Sequence, residues 1–426
     1  MLRAFVLATV TGLLGGLTTG FGQTPIDSPF DIQLVPRALE GGGYKYGIYA
    51  AMAGSSTPQL YELDTGGTGF YAVYSANPTY ATEAWGTNYS VVNTNISMGY
   101  ASDNVYYGNA VSSGVTLYSA TQSGTYDLSA KISTPGSVLV GQTLVITNTA
   151  GKTTSGSWPS TTPPVDQNFY GDFGLSLSHA TNGIMNVLAQ MNYSTNVIPG
   201  FVVSLGSPDS TNAKIQVGLN KNFDELYPIK IKIQGMDATN LFPAPDGGTN
   251  GLPTYSGAVL AAAMVFSNTT SGAFTNGRTD VILDTGASGT LFLTSEAPGA
   301  VTNYLSPSGE SLGEQVGLSL IVETTDGSFI DLFSAVEGEN GFALNVMYRS
   351  NFSLNIGQNL FYQYEVAYNL QDGILGLRAI PEANQVYLMA VASLFVIGFA
   401  LTRTALTRHI RRKRLPAGPE RSRRVA

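Results

Sequence analysis

Two short stretches decide how this chain is organised: Tyr61–Gly69 (YELDTGGTG) and Val281–Gly289 (VILDTGASG). In each stretch, apolar and β-branched or aromatic residues that favour a strand precede Asp-Thr-Gly and a turn of small residues. The two aspartates, Asp64 and Asp284, are 220 positions apart, about the length of one lobe. The repetition predicts two similar lobes, each of which brings one carboxyl group to a shared site.

Paired carboxyl groups have a definite chemistry. Two carboxyls a few ångströms apart share one proton, because ionising both would be costly. One then acts as acid and the other as base, and the pair titrates as a unit. Such a pair can activate water to attack an amide carbonyl and can protonate the leaving nitrogen. In a chain with 49 glycines, Asp-Thr-Gly can also occur by chance as an ordinary turn. Chance explains one occurrence more easily than two that each follow an apolar strand.

The composition narrows the class of protein. A chain of 426 residues can form two domains, and its low charged fraction of 12% and abundance of Gly and Tyr indicate an all-β extracellular protein. The absence of cysteine excludes disulfides, thiol catalysis and cysteine metal sites. No metal or cofactor is expected. Of the two histidines, His409 lies in a basic tail and His179 lacks a nucleophile motif, so a Ser-His-Asp hydrolase is disfavoured and His179 is expected at the surface.

The charge distribution also excludes a class of partner. Residues 23–385 contain 11 Lys/Arg and 28 Asp/Glu, a net charge of −17. This segment does not fit a nucleic-acid binder. Its self-repulsion is smallest where acid protonates some carboxylates, which suits work at low pH.

The two ends of the chain read as targeting segments. Residues 1–22 resemble a signal peptide, with Arg3 before an apolar run and a small-residue cleavage site. Val386–Leu401 is a run of 16 uncharged, mostly apolar residues, and Arg and Lys residues follow it. We therefore expect a transmembrane helix or sorting signal at 386–402 and a basic cytoplasmic tail at 403–426. The preceding Pro381-Glu382 makes this end similar to the bacterial PEP-CTERM sorting signal, although the second Pro is missing. Cell-surface anchoring by one membrane pass and release after cleavage both stay open.

Several elements between these ends resemble pepsin-like aspartic proteases. Tyr44–Ala51 and Gln59–Leu63 are predicted to pair as a hairpin that leads into the first Asp-Thr-Gly. A second hairpin follows in the position of the family's flap, with Met98 where the flap tyrosine is expected and Tyr100 two places later. Residues 182–193 (NGIMNVLAQMNY) have the apolar spacing of a short helix.

The same resemblance extends to glycine elements that pass behind each catalytic turn. Asp172-Phe173-Gly174 fits this element in the first half, with Asp172 in place of an apolar residue. Asn355-Ile356-Gly357 fits it in the second half, and Gly376 is an alternative for its glycine.

The resemblance covers roughly residues 40 to 380 and implies a bilobal all-β fold with a few short helices. The lobes would span 23–220 and 221–380. The site residues that the resemblance implies are the catalytic aspartates Asp64 and Asp284, the bracing threonines Thr65 and Thr285, and the turn glycines Gly66 and Gly286. The resemblance further implies an aspartic endopeptidase, a monomer that binds polypeptide substrates in a cleft between the lobes.

The sequence departs from the family at the residue after each Asp-Thr-Gly. The usual Ser or Thr, whose hydroxyl commonly bonds an outer carboxylate oxygen, is Gly67 in one half and Ala287 in the other. Thr68 or Ser288 could take over this bond. Two other functions therefore stay open: an inactive pepsin-like scaffold that binds peptide or glycan, and a β-rich surface adhesin in which both motifs are ordinary turns.

Overall fold

The computed structural model describes residues 24–380, apart from 41, 56, 76–83, 101, 103, 148–152, 156–162, 245–250, 269–271, 295–301, 307, 340–341 and 349–352. The described residues up to Arg378 form one compact unit. The predicted signal peptide, transmembrane or sorting segment and basic tail lie outside the described residues and stay predictions. In the part of the chain that is described, no helix is both long and apolar enough to cross a membrane.

The described residues are mostly strands, which confirms the all-β prediction. In chain order the strands are β1 (Phe30–Gln33), β2 (Val35–Ala38), β3 (Tyr44–Met52), β4 (Gln59–Asp64), β5 (Phe70–Val73), β6 (Tyr89–Gly99), β7 (Val105–Ser113), β8 (Val115–Ala120), β9 (Tyr126–Ser133), β10 (Val138–Thr147), β11 (Thr153–Ser155), β12 (Gly171–Gly174), β13 (Ile198–Ser204), β14 (Lys214–Leu219), β15 (Ile229–Lys232), β16 (Asp237–Leu241), β17 (Pro253–Thr254), β18 (Leu260–Asn268), β19 (Gly272–Ile282), β20 (Thr290–Thr294), β21 (Gly317–Glu323), β22 (Phe329–Val336), β23 (Leu344–Tyr348), β24 (Ser353–Asn355), β25 (Tyr364–Asn369) and β26 (Ile374–Ala379). The short helices are α1 (Phe223–Leu226), α2 (Asn359–Gln363) and the 3₁₀ turns Leu188–Gln190 and Thr302–Tyr304.

The strands form two lobes that share a central sheet. The first lobe is an 11-stranded sheet, ordered β6-β7-β10-β5-β12-β4-β3-β8-β9, with β11 paired to β10 and β2 paired to β3. The second lobe is a 7-stranded sheet, ordered β22-β21-β18-β19-β24-β20-β23, and β16 and β17 form a separate small ribbon. A 6-stranded sheet, ordered β1-β14-β13-β25-β26-β15, takes three strands from each half of the chain. Because its ladder runs from one half to the other, this sheet ties the two lobes together.

The predicted hairpin before the first motif is confirmed. β3 and β4 pair antiparallel, with Gly47 opposite Glu62 and Ala50 opposite Gln59. On β4, Tyr61 and Leu63 are fully buried, and the Tyr61 ring meets the Phe70 ring edge-on with centroids 4.7 Å apart. Burial of each such side chain stabilises the fold by about 1.5–3 kcal/mol. The strand that ends at Asp64 is therefore held in place by the core side chains packed against it.

The prediction of a helix over 182–193 is wrong, although its apolar face was identified correctly. The four predicted core positions are all buried (Ile184, Val187, Leu188 and Met191). Only Leu188–Gln190 forms a turn of 3₁₀ helix. Asn182 Oδ1 accepts the backbone N–H of Ile184, and Asn186 Oδ1 accepts that of Leu188. These side-chain bonds offer the backbone an alternative to helical pairing, so the segment packs as a bent loop.

Candidate active site

The two Asp-Thr-Gly turns face each other. Asp64 is the last residue of β4, and Asp284 follows the end of β19 by two residues. A β-carbon added to Gly66 would lie 2.7 Å from Cγ of Asp284, and one added to Gly286 would lie 2.7 Å from Cγ of Asp64. Each turn thus approaches the opposite carboxyl so closely that only glycine fits, and the two carboxyl groups meet at the lobe interface.

Each carboxyl is oriented by its own turn. Oδ1 of Asp64 accepts the N–H groups of Gly66 and Gly67, both at 2.7 Å. Oδ1 of Asp284 accepts those of Gly286 at 2.8 Å and Ala287 at 3.2 Å. The inner oxygen of each carboxyl is therefore held by the backbone of its own turn.

Thr65 and Thr285 join the two turns across the interface. The Thr65 N–H donates to Oγ1 of Thr285, and the Thr285 N–H donates to Oγ1 of Thr65, both at 3.0 Å. The Thr65 hydroxyl then donates to the Leu283 carbonyl at 2.8 Å, and the Thr285 hydroxyl donates to that of Leu63 at 2.7 Å. Both threonines are buried. The four bonds form a two-fold symmetric brace that fixes one aspartate relative to the other.

The glycine elements pass behind the turns as the resemblance predicts. Gly174 pairs with Asp64 in the parallel ladder of β12 and β4, and a β-carbon there would lie 2.5 Å from the Gly67 carbonyl oxygen. Gly357 is the counterpart, since a β-carbon on it would lie 2.7 Å from the Ala287 carbonyl oxygen. The alternative glycine, Gly376, lies within β26 in the central sheet.

Neither Thr68 nor Ser288 makes the bond to an outer carboxylate oxygen that either could have taken over. Oγ1 of Thr68 lies 3.4 Å from the Ser178 hydroxyl, and the exposed Ser288 lies beside Gly43. In the second lobe, the buried Asn355 donates to Oδ2 of Asp284 at 2.5 Å. Sequence reasoning missed Asn355, although its place next to the glycine element could have revealed it.

The two aspartates lie in an acidic cleft between the lobes, with a volume of about 370 Å³. Its described lining includes the carboxyls of Glu62, Asp64, Asp166, Asp172 and Asp284 together with the ammonium group of Lys45. Burial, and next the neighbouring Asp284 and Asp172, raise the pKa of Asp64 well above its usual range. Lys45 bridges Glu62 at 2.7 Å and Asp166 at 2.8 Å. Burial nevertheless raises the pKa of Glu62 to about 7, against the opposing effect of Lys45.

The two flap candidates occupy different places on the hairpin of β6 and β7. Met98 lies opposite Tyr106 and packs with the apolar cluster that contains Tyr71 and Ile96. Tyr100 begins the tip of the hairpin and lines the cleft, with its ring centroid 4.7 Å from that of Tyr106. Of the two, only Tyr100 is among the described residues that line the cleft.

His179, the histidine among the described residues, is not part of the cleft lining. His179 lies exposed in a loop, as expected for a residue outside any catalytic site. No group of three or more His, Asp or Glu side chains among the described residues has the geometry of a metal site.

Solved structures resemble this chain in its fold. The crystal structure of edgp superimposes with a TM-score of 0.50 and 11% sequence identity, over 83% of this chain and 95% of that one. The chain has the pepsin-like fold. The aspartic proteinase from Irpex lacteus is similar with a TM-score of 0.48 and 14% identity, over 83% of this chain and 97% of that one. No family model and no curated protein matches the sequence. At these identities the likeness concerns the pepsin-like fold itself.

Proposed function

We propose that this protein is an aspartic endopeptidase that hydrolyses extended polypeptides at acidic pH. The observation that carries the proposal is the pair of facing carboxyls, Asp64 and Asp284, held by a symmetric brace at the floor of a cleft between two lobes. This arrangement has the two requirements of acid–base hydrolysis, namely a shared proton and a fixed geometry.

In the proposed reaction the pair begins with one proton. The ionised carboxylate takes a proton from a water molecule while the water oxygen attacks the amide carbon. The protonated carboxyl gives its proton to the carbonyl oxygen, which yields a neutral tetrahedral intermediate. The proton that the pair now holds passes to the leaving nitrogen as the carbon–nitrogen bond breaks. A hydroxyl of the intermediate returns its proton to the pair, which leaves a carboxylic acid, an amine and the pair with one proton again.

The surroundings of the pair affect the pH range over which it keeps its shared proton. Burial and like charge raise the pKa of Asp64, and Glu62 and Asp172 lie in the same cleft. As the pH rises, the pair loses its shared proton, and ionised Glu62 and Asp172 leave further negative charge in the cleft, so cleavage is expected to decline towards alkaline pH. The acidic walls would also attract substrates that carry basic side chains.

Tyr100 would act as the flap residue that covers the bound peptide, because it alone of the two candidates lines the cleft. We further propose that the protein is exported and held at the cell surface by residues 386–402, or released there by cleavage. This part of the proposal is supported by the apolar run and the basic residues that follow it.

The experiment that tests the proposal is cleavage of an unfolded protein by the purified full-length chain between pH 3 and 7. Asp64→Asn and Asp284→Asn should each abolish cleavage, whereas Asp326→Asn, the same change at an exposed turn, should leave it intact. Pepstatin should inhibit the active protein if the cleft binds peptides in the pepsin-like manner. Absence of cleavage from all variants, together with saturable binding of an unfolded peptide, would instead favour the inactive peptide-binding scaffold.

A further inference from the structure

Asp172 is a buried carboxyl to which the proposed dyad chemistry gives no role. Asp172 is 3% exposed, and neither of its carboxyl oxygens has a partner in good hydrogen-bonding geometry among the described residues. The Tyr100 hydroxyl is a nearby donor that favours its charged form. In the parallel ladder of β12 and β4, Asp172 lies beside Glu62, two residues before the position that pairs with Asp64. A buried carboxylate without partners would be costly, so its protonation state and its neighbours need a physical explanation.

The second lobe contains the equivalent position, and there its role is visible. Asn355 lies beside Ile282 in the ladder of β24 and β19, again two residues before the position level with the aspartate. Its amide N–H donates to the outer oxygen of Asp284. The two-fold relation of the lobes therefore places Asp172 where its side chain can serve the outer oxygen of Asp64.

Gly67 keeps the space between Asp172 and Asp64 clear. A β-carbon added to Gly67 would lie 2.5 Å from Oδ2 of Asp64 and 2.7 Å from Oδ2 of Asp172. The two oxygens thus flank the same small volume, and even a methyl group would overlap both. The glycine that replaces the family's usual Ser or Thr is consistent with a second carboxyl that fills the place of the missing hydroxyl.

The charges around Asp172 favour its neutral form. The groups that interact with it electrostatically are Glu62, Asp64, Asp284, Lys45, Tyr71, Tyr100 and Tyr106. Burial, and next the Glu62 carboxyl, raise the pKa of Asp172 well above its usual range, whereas the Tyr100 hydroxyl and Lys45 act in the opposite direction. Lys45 already bridges Glu62 and Asp166, so it offers Asp172 little compensation.

We propose that Asp172 is a positioning residue which, as a neutral acid, donates its proton in a hydrogen bond to the outer oxygen of Asp64. It would thereby do in the first lobe what Asn355 does in the second. This inference rests on the proposed endopeptidase function, and it makes the site a system of three coupled carboxyls. When Asp172 ionises at higher pH, the donor is lost and a negative charge arrives beside Asp64.

Two replacements of Asp172 with side chains of similar size distinguish the loss of its hydrogen-bond donor from a change in packing. Asp172→Asn keeps a neutral donor that does not titrate, and Asp172→Leu removes the donor while filling the site with an apolar side chain. At acidic pH, kcat should stay within about threefold of the unaltered protein for Asp172→Asn, and it should fall by tenfold or more for Asp172→Leu, with little change in KM. Equal losses in both variants would overturn the proposal, because a structural role would not distinguish them.

The kcat–pH profile gives a second, directional test. If activity requires the neutral form of Asp172, Asp172→Asn removes one route by which a proton is lost, so the alkaline decline of kcat should move to higher pH. If Asp172 instead acts as an ion, removing its charge would lower the pH at which the dyad loses its proton, and the decline would move to lower pH. That second outcome would overturn the proposal.

Thermal unfolding of the same variants tests the protonation without any cleavage. A carboxyl whose pKa is raised in the folded protein stabilises the fold below its ordinary pKa, and this contribution is lost as the pH rises through the folded value. Asp172→Asn should therefore flatten the fall of Tm as the pH rises above the ordinary pKa of a carboxyl group. In an Asp64→Asn background the same substitution should flatten it less, because one like charge beside Asp172 is gone. A constant difference in Tm at every pH would overturn the proposal. Absence of cleavage with a flattened Tm profile would show that the endopeptidase function fails while Asp172 still holds its proton.

Discussion

Replacing the bracing threonines by valine should weaken both the fold and the activity. Thr65→Val removes the oxygen that accepts the Thr285 N–H and donates to the Leu283 carbonyl. Valine has the same shape, so packing is kept while two buried backbone groups lose their partners. Each buried group left unsatisfied costs about 1–3 kcal/mol. We therefore expect the free energy of unfolding to fall by roughly 2–6 kcal/mol.

The effect on activity follows from the position of the brace between the lobes. Thr285→Val breaks the symmetric pair of bonds, to the Thr65 N–H and to the Leu63 carbonyl. Without the brace the two carboxyls lose their fixed separation, and a displacement of about 1 Å lowers a rate by roughly 10²-fold. The assay is kcat on an unfolded protein substrate at acidic pH, beside urea unfolding of the same samples.

Serine is the matched control, because Thr65→Ser and Thr285→Ser keep the hydroxyl and lose only a methyl group. Both serine variants should retain kcat within about threefold and most of the stability. Loss of activity in the serine variants equal to that in the valine variants would refute the reasoning, since the hydroxyl bonds would then not be responsible.

Three further outcomes can be checked on single variants. Asn355→Leu removes the donor to Oδ2 of Asp284. Because a hydrogen bond to a charged group is worth about 1.5–3 kcal/mol, kcat should fall roughly tenfold to a hundredfold. An unchanged kcat would contradict the role of this bond. Gly286→Ala places a β-carbon 2.7 Å from Cγ of Asp64. The rate of cleavage should therefore drop by about 10²-fold or more, while the circular dichroism spectrum stays that of the unaltered protein. Full activity would mean that this turn does not approach the Asp64 carboxyl so closely. Burial raises the pKa of Glu62 from 4.5 to about 7, so stability should decrease by on the order of 3 kcal/mol as the pH rises through this interval. Glu62→Gln should flatten that decrease in urea unfolding, and an unaltered slope would refute the burial argument.

The sequence by itself determined the local features of the site. An apolar strand before Asp-Thr-Gly, followed by small residues, specifies a strand that ends in a tight turn with its carboxyl group pointing away from the strand. Because this pattern occurs at both Asp64 and Asp284, the bilobal arrangement could be predicted. The pairing of β3 with β4 followed in the same way from alternating apolar residues and a short polar turn.

Periodicity alone was insufficient where side chains compete with the backbone. The buried residues of segment 182–193 have helical spacing. The side chains of Asn182 and Asn186, however, accept hydrogen bonds from backbone N–H groups. Such bonds depend on how the segment is held against its surroundings, as when Asn186 donates to the Leu175 carbonyl. The apolar spacing therefore identified burial correctly and helix incorrectly.

Only the tertiary structure decided which groups complete each carboxyl. Asn355 lies 71 positions from Asp284, and the pairing of β24 with β19 is what brings it to the outer oxygen. The pairing of β12 with β4 likewise brings Asp172 to the space that Gly67 leaves open. The physical reason is that a strand dictates the direction of its own side chains, whereas the distance between two strands far apart in the chain is set by the packing of the whole lobe.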